Sequence, residues 1–439
     1  MGVIEKDLAK YYRVLRHSDL CVYEGKISKI VGMTVEATGL VCSIGDICRI
    51  YLEGKGESII AEVVGISGSN AYLMPYESMN GIGYGSSVVN TGKKLTVRIS
   101  DALIGRTVDP LCNPIDRGPA IEGGVHVSID GEPSNPMTRP PIVEPMDMGV
   151  KSIDSLLTIG KGQRMGIFSG SGVGKSTLMG MIARNVKADI NVIGLVGERG
   201  REVVEFINKD LGEEGIARSV LVVATSDQPA MMRYKSALTA TAVAEYFCKQ
   251  GKDVLLMMDS LTRFAMAQRE IGLSTGEAPV ARGYTPSIYS AMPKLLERSG
   301  RFETGSITGI YTVLVEGDDT NEPVSDIVRG IIDGHIILSR RMASRNHYPA
   351  IDVLNSISRL MNEIVDDAHL DTASMFRNML AVYKENEDLI SIGAYKGGTN
   401  PALDNAIAHI DRMNAFLKQA VGEKFDYDET IELMAKAIL

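Results

Sequence analysis

Nine residues constrain this chain more than any others: Ser169-Gly170-Ser171-Gly172-Val173-Gly174-Lys175-Ser176-Thr177. They follow the apolar run MGIF and open the helical stretch MGMIARN, so a strand must turn directly into a helix around three glycines. Glycine lets backbone N–H groups curl inward without a β-carbon in the way, and the helix N-terminus adds positive partial charge. Such a loop cradles phosphate. Lys175 is placed to reach the β- and γ-phosphates of a nucleotide, and the Ser176 hydroxyl to ligate Mg²⁺. The first position of this motif is commonly Gly; Ser169 stands there, a small residue beside three flexible ones.

A phosphate loop of this kind needs a parallel sheet, and the text after Met148 supplies one. NVIGLV ends at Gly197-Glu198, DVLLMM ends at Asp259-Ser260, and ITGIYTVLV ends at Glu316. Continuous apolar runs separated by helical stretches indicate strands buried on both faces, with ligands taken beyond their carboxyl ends. The rest of the chain reads differently on either side. Residues 1–20 have helical spacing (Ile4, Leu8, Tyr11, Tyr12, Leu15). Residues 21–97 are short β-rich runs, GKISKIV, MTVEAT, DICRIYL, IIAEVVGI and NAYLMPY, broken by Gly, Ser and Asn, as in a small β-barrel. Residues 98–147 are proline-rich, an ordered connector rather than sheet or helix. The P-loop domain occupies 148–361, and a helical domain 362–439 has one break at Gly397–Pro401.

Charge and cysteine usage narrow the class. Lys and Arg number 46 against 55 Asp and Glu, a net charge of −9, which is not the footprint of a general nucleic-acid binder. No apolar run approaches the ~20 residues of a membrane helix, and the first twenty residues lack the apolar core of a secretory signal. Five scattered cysteines form no metal-ligand spacing and, being odd in number, no disulfide framework. A cytoplasmic protein is the expectation.

Asp259, at a strand end beside a phosphate loop, suits a carboxylate that holds Mg²⁺ directly or through its water. Glu198, in Gly197-Glu198-Arg199-Gly200-Arg201-Glu202, taken alone is one charge in a charged turn. Hydrolysis of a γ-phosphate does, however, require a group that polarises an in-line water. Arg263, Arg282, Arg340, Arg341 and Arg359 are equivalent by position alone. The acidic stretch Glu316–Glu322 lacks EF-hand spacing, and the six histidines lack zinc-ligand spacing.

Pro349-Ala350-Ile351-Asp352-Val353-Leu354-Asn355-Ser356-Ile357-Ser358 resembles the signature decapeptide of the α/β subunits of rotary ATP synthases and their relatives. Within that superfamily the chain is most similar to the type III protein export ATPases, and among them the flagellar ones. The residues that carry this are Asp259–Ala265, Gln268–Leu273, Gly283-Tyr284-Thr285-Pro286-Ser287, Leu296–Gly300, Val315–Asp319 and Asp333–Ile336. The resemblance extends from about Gly25 to the C-terminus; it departs at Ser169 and at Cys112, where relatives carry Gly in a connector turn.

The resemblance implies an N-terminal β-barrel, a central RecA-like P-loop domain with a mainly parallel sheet, and a C-terminal helical domain. It further implies a homohexamer with ATP and Mg²⁺ bound between subunits. By matching positions, Glu198 becomes the water-activating carboxylate and Asp259 the second metal residue, with Ser176. Arg199 and Arg263 become γ-phosphate contacts, Arg359 an arginine finger reaching into the adjacent subunit, and Tyr348 the ring that stacks on adenine. The second wall of the adenine pocket is expected from residues 416–427. Implied partners are an export regulator at the N-terminus, export-gate membrane proteins and chaperone–substrate complexes, with peripheral attachment at the inner face of the membrane. A virulence-type type III secretion ATPase is the alternative, ahead of a rotary ATP synthase subunit. An RNA-translocating hexamer is disfavoured by the charge and by 5% aromatic residues.

Overall fold

Buried and exposed positions alternate through the first strands, so each presents one side to an interior and one to water. These are β1 (Glu24–Val31), β2 (Thr34–Thr38), β3 (Asp46–Tyr51), β4 (Ser58–Ser67), β5 (Asn70–Pro75) and β6 (Ser87–Lys94). They close into a barrel in the order β1-β2-β5-β4-β3-β6, every pair antiparallel. Ile27, Val35, Ile50, Val63, Leu73 and Val88 fill it, as a barrel this small must be filled by its own side chains. The sixth strand, SVVNTGKK, has only two apolar residues, yet its pairing with both β1 and β3 leaves the sheet without a free edge.

The computed structural model describes residues 23–52, 56–315 and 322–439, together with Tyr11. The expected N-terminal helix, and the acidic stretch up to Asn321, lie outside the described residues. Contacts divide the chain into two units, residues up to 95 with 271–277, and residues 96–270 with 278–439.

The connector departs from the expectation of no sheet. Its β7 (Thr96–Ile99) pairs with β9 (Val125–Ser128), and β8 (Thr107–Val108) joins the edge of the large sheet of the second unit. Further on, β10 (Pro145–Met146) pairs with β11 (Ile159–Gly160). The piece β8 precedes Pro110 and β9 falls between Pro119 and Pro133, where backbone N–H groups remain to pair.

The second unit is built on that nine-stranded sheet. Besides β8 its strands are β12 (Arg164–Ser169), β13 (Ile190–Glu198), β14 (Ser219–Thr225), β15 (Asp253–Asp259), β16 (Gly300–Arg301), β17 (Ser306–Leu314), β18 (Gly334–Leu338) and β19 (Ile357–Ser358). The order is β19-β18-β12-β17-β15-β13-β14-β8, with β16 on β17. All the central pairings are parallel; only β19 and β16 run the other way. Every residue of β13 is buried except the last, Glu198. The helix Ala230–Cys248, buried nearly all round, packs on β13, β14 and β15.

The helices Asp367–Ser391, Pro401–Leu417 and Tyr427–Ile438 pack on one another and on Lys151–Leu156. Asp366 and Asn400 cap the first two by accepting N–H groups of the first turn, and Pro401 occupies the first helical position.

Cys112 sits in the connector turn with φ +63°, the left-handed conformation that glycine adopts without strain. It is buried, and burial pushes its thiol up to about 12, so it is an inert small hydrophobe. Cys112→Val should lower stability by about 2 kcal/mol, because a β-branched residue fits this conformation worst. Cys112→Gly should stay within about 1 kcal/mol of the parent, backbone relief offsetting the lost burial and the freer unfolded chain. Midpoints of denaturant unfolding measure both.

Candidate nucleotide-binding site

The loop begins where β12 ends, at Ser169, and its turn uses φ +78° at Gly172 and +90° at Gly174. Gly174 caps the helix Lys175–Asn185, and no side chain accepts its first N–H groups. A helix start left uncapped in this way is an anion site. A β-carbon on Gly174 would stand 3.4 Å from the ring of Tyr348. The loop and that ring are therefore neighbours.

Parallel register brings the other strand ends to the same edge. Ser169 lies opposite Leu314 and Leu195 opposite Asp259, so β12, β17, β15 and β13 deliver Ser169, Asp259 and Glu198 side by side. Lys175 is ion-paired with Asp259, and its Nζ is 3.9 Å from Glu198 Oε1. Asp259 also accepts a hydrogen bond from the Thr312 hydroxyl at 2.7 Å. The three charged side chains are only 7–14% exposed, so their fields are weakly screened.

Glu198 bears the consequence. Burial first, and then the charge of Asp259, push its carboxyl up to about 7, against the opposing pull of Lys175. Its Oε1 has no hydrogen-bond partner, and neither do Ser169 Oγ and Arg263 Nε, all three atoms buried. These are polar groups that a polar ligand would satisfy. The loop, Glu198, Arg199, Arg263 and Arg340 line a cavity of about 600 Å³. Arg199 is exposed and paired with Glu202 at 3.4 Å, whereas Arg263 is held against Gly197.

Two results differ from a simple gathering of the expected residues. Arg340 lines the cavity although sequence spacing gave no reason to prefer it among the arginines. The usable signal was its place just past the end of β18, the same structural position as Ser169 and Glu198. Arg359 is not brought to this site. It follows β19, whose Ser358 pairs with Gly334 at the amino end of β18, while the loop lies at the carboxyl end. Its N–H donates to Asp333 O, and its Nη2 to Arg329 O at 3.3 Å. Of the aromatic residues in 416–427, Phe416 packs edge-on against Phe376, the Lys151 ammonium lies 4.6 Å from the Phe425 centroid, and the Tyr427 hydroxyl meets His369 Nδ1 at 3.1 Å.

Three family models match in chain order. They are the ATP synthase alpha/beta family β-barrel domain (27–92), its nucleotide-binding domain (149–358), and the type III secretion EscN ATPase C-terminal domain (365–436). The chain is 55% identical to the flagellum-specific ATP synthase of Bacillus subtilis, over 93% of each chain. The chain belongs to the flagellar and type III secretion ATPase family. Its identity to the flagellum-specific ATP synthase of Treponema pallidum is 51%, over 97% of this chain and 95% of that one. The assembled ATPase EscN of the enteropathogenic E. coli type III secretion system superposes with a TM-score of 0.90 at 44% identity, over 94% of this chain and all of that one. Like the rest of the family, this chain is a nucleotide-binding ATP hydrolase with a barrel, a P-loop domain and C-terminal helices.

The raised Glu198 carboxyl makes a prediction for this ATPase without nucleotide. Its proton is held more tightly in the folded chain than in the unfolded one, so ionising it costs folding free energy. That cost is absent below its ordinary 4.5, grows through the interval and is complete above about 7. Glu198→Gln should therefore be more stable than the parent at pH 8, by on the order of 1–3 kcal/mol, and no more stable than the parent at pH 4.5. Thermal melts across that range decide it; a gain independent of pH would assign the effect to something other than charge.

Proposed function

We propose that the chain is the flagellar type III export ATPase, which hydrolyses ATP to ADP and phosphate to free export substrates from chaperones and feed them to the export gate. The supporting observation is Glu198: a largely buried carboxyl raised to about 7, one oxygen of which accepts no hydrogen bond, beside a lysine and an aspartate at the phosphate loop.

Each residue then has a role that its surroundings favour. Lys175, paired with Asp259 in the free chain, exchanges that partner for phosphate oxygens, and the N–H groups of Gly172–Thr177 cradle the phosphates. Glu198 orients and deprotonates the attacking water; a base near pH 7 combines availability with driving force. Arg263, with its buried Nε unsatisfied, and Arg199 contact the γ-phosphate from the β13 side. Tyr348 stacks on adenine.

A divalent cation fits the donors present. Ser176 and Asp259 are hard oxygens, and among the described residues no three His, Cys, Asp or Glu side chains converge into a cage of their own. Magnesium requires none, since it keeps waters and phosphate oxygens as ligands. When bound, it neutralises charge on the β- and γ-oxygens.

Arg359 lies away from its own loop, so its proposed partner is the site of the next subunit in a homohexameric ring. EscN, with 44% identity to this chain, is described as assembled. An export regulator bound at the N-terminus, an export gate and chaperone–substrate complexes are the partners of this reading. None of the described helices is long and apolar enough to cross a membrane, and the reading places the protein in the cytoplasm, peripheral to the membrane. The high similarity to EscN favours a second reading, service of an injection apparatus, with every site role unchanged.

Glu198→Gln should bind ATP and lose turnover by at least about 100-fold. Arg359→Ala should assemble and lose about 1,000-fold or more. Mixing Arg359→Ala with Lys175→Ala should restore part of the hydrolysis, because some interfaces then join an intact loop to an intact arginine. Absence of rescue in rings shown to be mixed would place Arg359 outside the mechanism. Capture of the Glu198→Gln protein from its own cells with ATP and Mg²⁺ separates flagellar from injection partners.

A further inference from the structure

The segment 418–426 links the helices Pro401–Leu417 and Tyr427–Ile438, and it is tied to both ends of the helix that carries the phosphate loop. Gln419 is its centre. The side chain is 4% exposed, and its amide is fully used. Its Oε1 accepts the Lys151 N–H at 2.9 Å, and its Nε2 donates to the carbonyls of Gly149 at 3.0 Å and Glu423 at 3.1 Å. The backbone N–H of Gln419 donates to the carbonyl of Tyr348 at 3.1 Å.

Both routes lead to the loop helix. The Gly149 carbonyl also accepts from Asn185 Nδ2 at 3.4 Å, and Asn185 is the last residue of the helix that Lys175 begins. Its neighbour Arg184 donates to the Val421 carbonyl at 2.8 Å. At the other end of that helix the Tyr348 ring lies over Gly174. Tyr348 is itself 42% exposed, so its ring has little packing of its own to set its height. Its backbone must do that, and the backbone is anchored to Gln419. A buried amide whose hydrogen bonds are all made is costly to displace, because each lost partner is left unsatisfied.

We propose that Gln419 is a positioning residue for nucleotide binding. It touches no part of the nucleotide; it fixes the main chain at Tyr348, and with it the ring that receives the base. This rests on the reading of Tyr348 as the adenine platform. The consequence is selective: the part of the affinity that depends on the base should need Gln419, and the part that depends on phosphate should not.

Calorimetric titration of the full chain with Mg-ADP and with Mg-pyrophosphate, which has no base, separates the two. Gln419→Ala should weaken ADP by about three- to tenfold, a fraction of what one aromatic stack supplies, and leave pyrophosphate within about twofold of the parent. Gln419→Met keeps the volume but none of the side-chain hydrogen bonds and should behave alike. Adding Gln419→Ala to Tyr348→Ala should cost ADP nothing further. Equal losses for ADP and pyrophosphate would make Gln419 a general structural residue and overturn the proposal. So would unchanged ADP binding in Gln419→Ala while Tyr348→Ala loses it. Unchanged ADP binding in Tyr348→Ala would instead remove the platform reading, and the proposal with it.

Discussion

A sheet buried on both faces has no place for charge except at its ends. β12, β13, β15 and β17 carry charged residues only at their first or last positions, and their parallel order puts every carboxyl end at one edge. The chemistry of the chain is therefore crowded into one place by hydrophobic burial before any ligand arrives. Lys175, Asp259 and Glu198 meet there because nothing deeper in the sheet would hold them.

That crowding has an electrostatic cost, and the site shows how it is met. One ammonium stands between two carboxylates. Asp259 takes the close pairing and a hydroxyl hydrogen bond, while Glu198 is left 3.9 Å away with a free oxygen. The two acids are not equivalent: burial, and then the charge of Asp259, push the Glu198 carboxyl up to about 7. On the proposed reading, holding a cation falls to the acid that is already paired, and accepting a proton falls to the acid whose charge is least well supported. Ionising Glu198 in the free chain therefore costs stability, as is common where function sets the constraint.

How much of this the sequence carries depends on the range of the interaction. The phosphate loop is local: three glycines, a lysine and a helix start within nine residues, and they alone specify the turn. Asp259 and Glu198 were legible because each ends a continuous apolar run, so strand order need not be known to place them at the edge. Arg340 follows a run too, GHIIL, with Ser339 between, but the run is shorter and half-buried and its boundary is weakly marked in the sequence. The closing strand of the barrel, SVVNTGKK, is invisible as a strand because pairing on both sides, rather than side-chain burial, holds it. The Gln419 network spans some 270 residues in sequence, and no local pattern distinguishes a buried glutamine there from any other after a helix.

The position of Arg359 carries the argument beyond one chain. The sheet has a carboxyl end with a phosphate loop and an amino end with an arginine held by two main-chain contacts, to Asp333 and Arg329. If Arg359 is the arginine finger proposed above, one chain so built has half of a site at each end. If both halves act in the same reaction, chains must meet head to tail, with unlike surfaces in contact, and such contacts close only as rings or run on as filaments. In that arrangement the charge that develops on the γ-phosphate is met by a group from another molecule, and hydrolysis becomes conditional on assembly. A free chain then keeps its loop, its base and its raised carboxyl, yet lacks the group that makes them fast. On that reading assembly is the switch, and it is set by which end of a buried sheet each residue occupies.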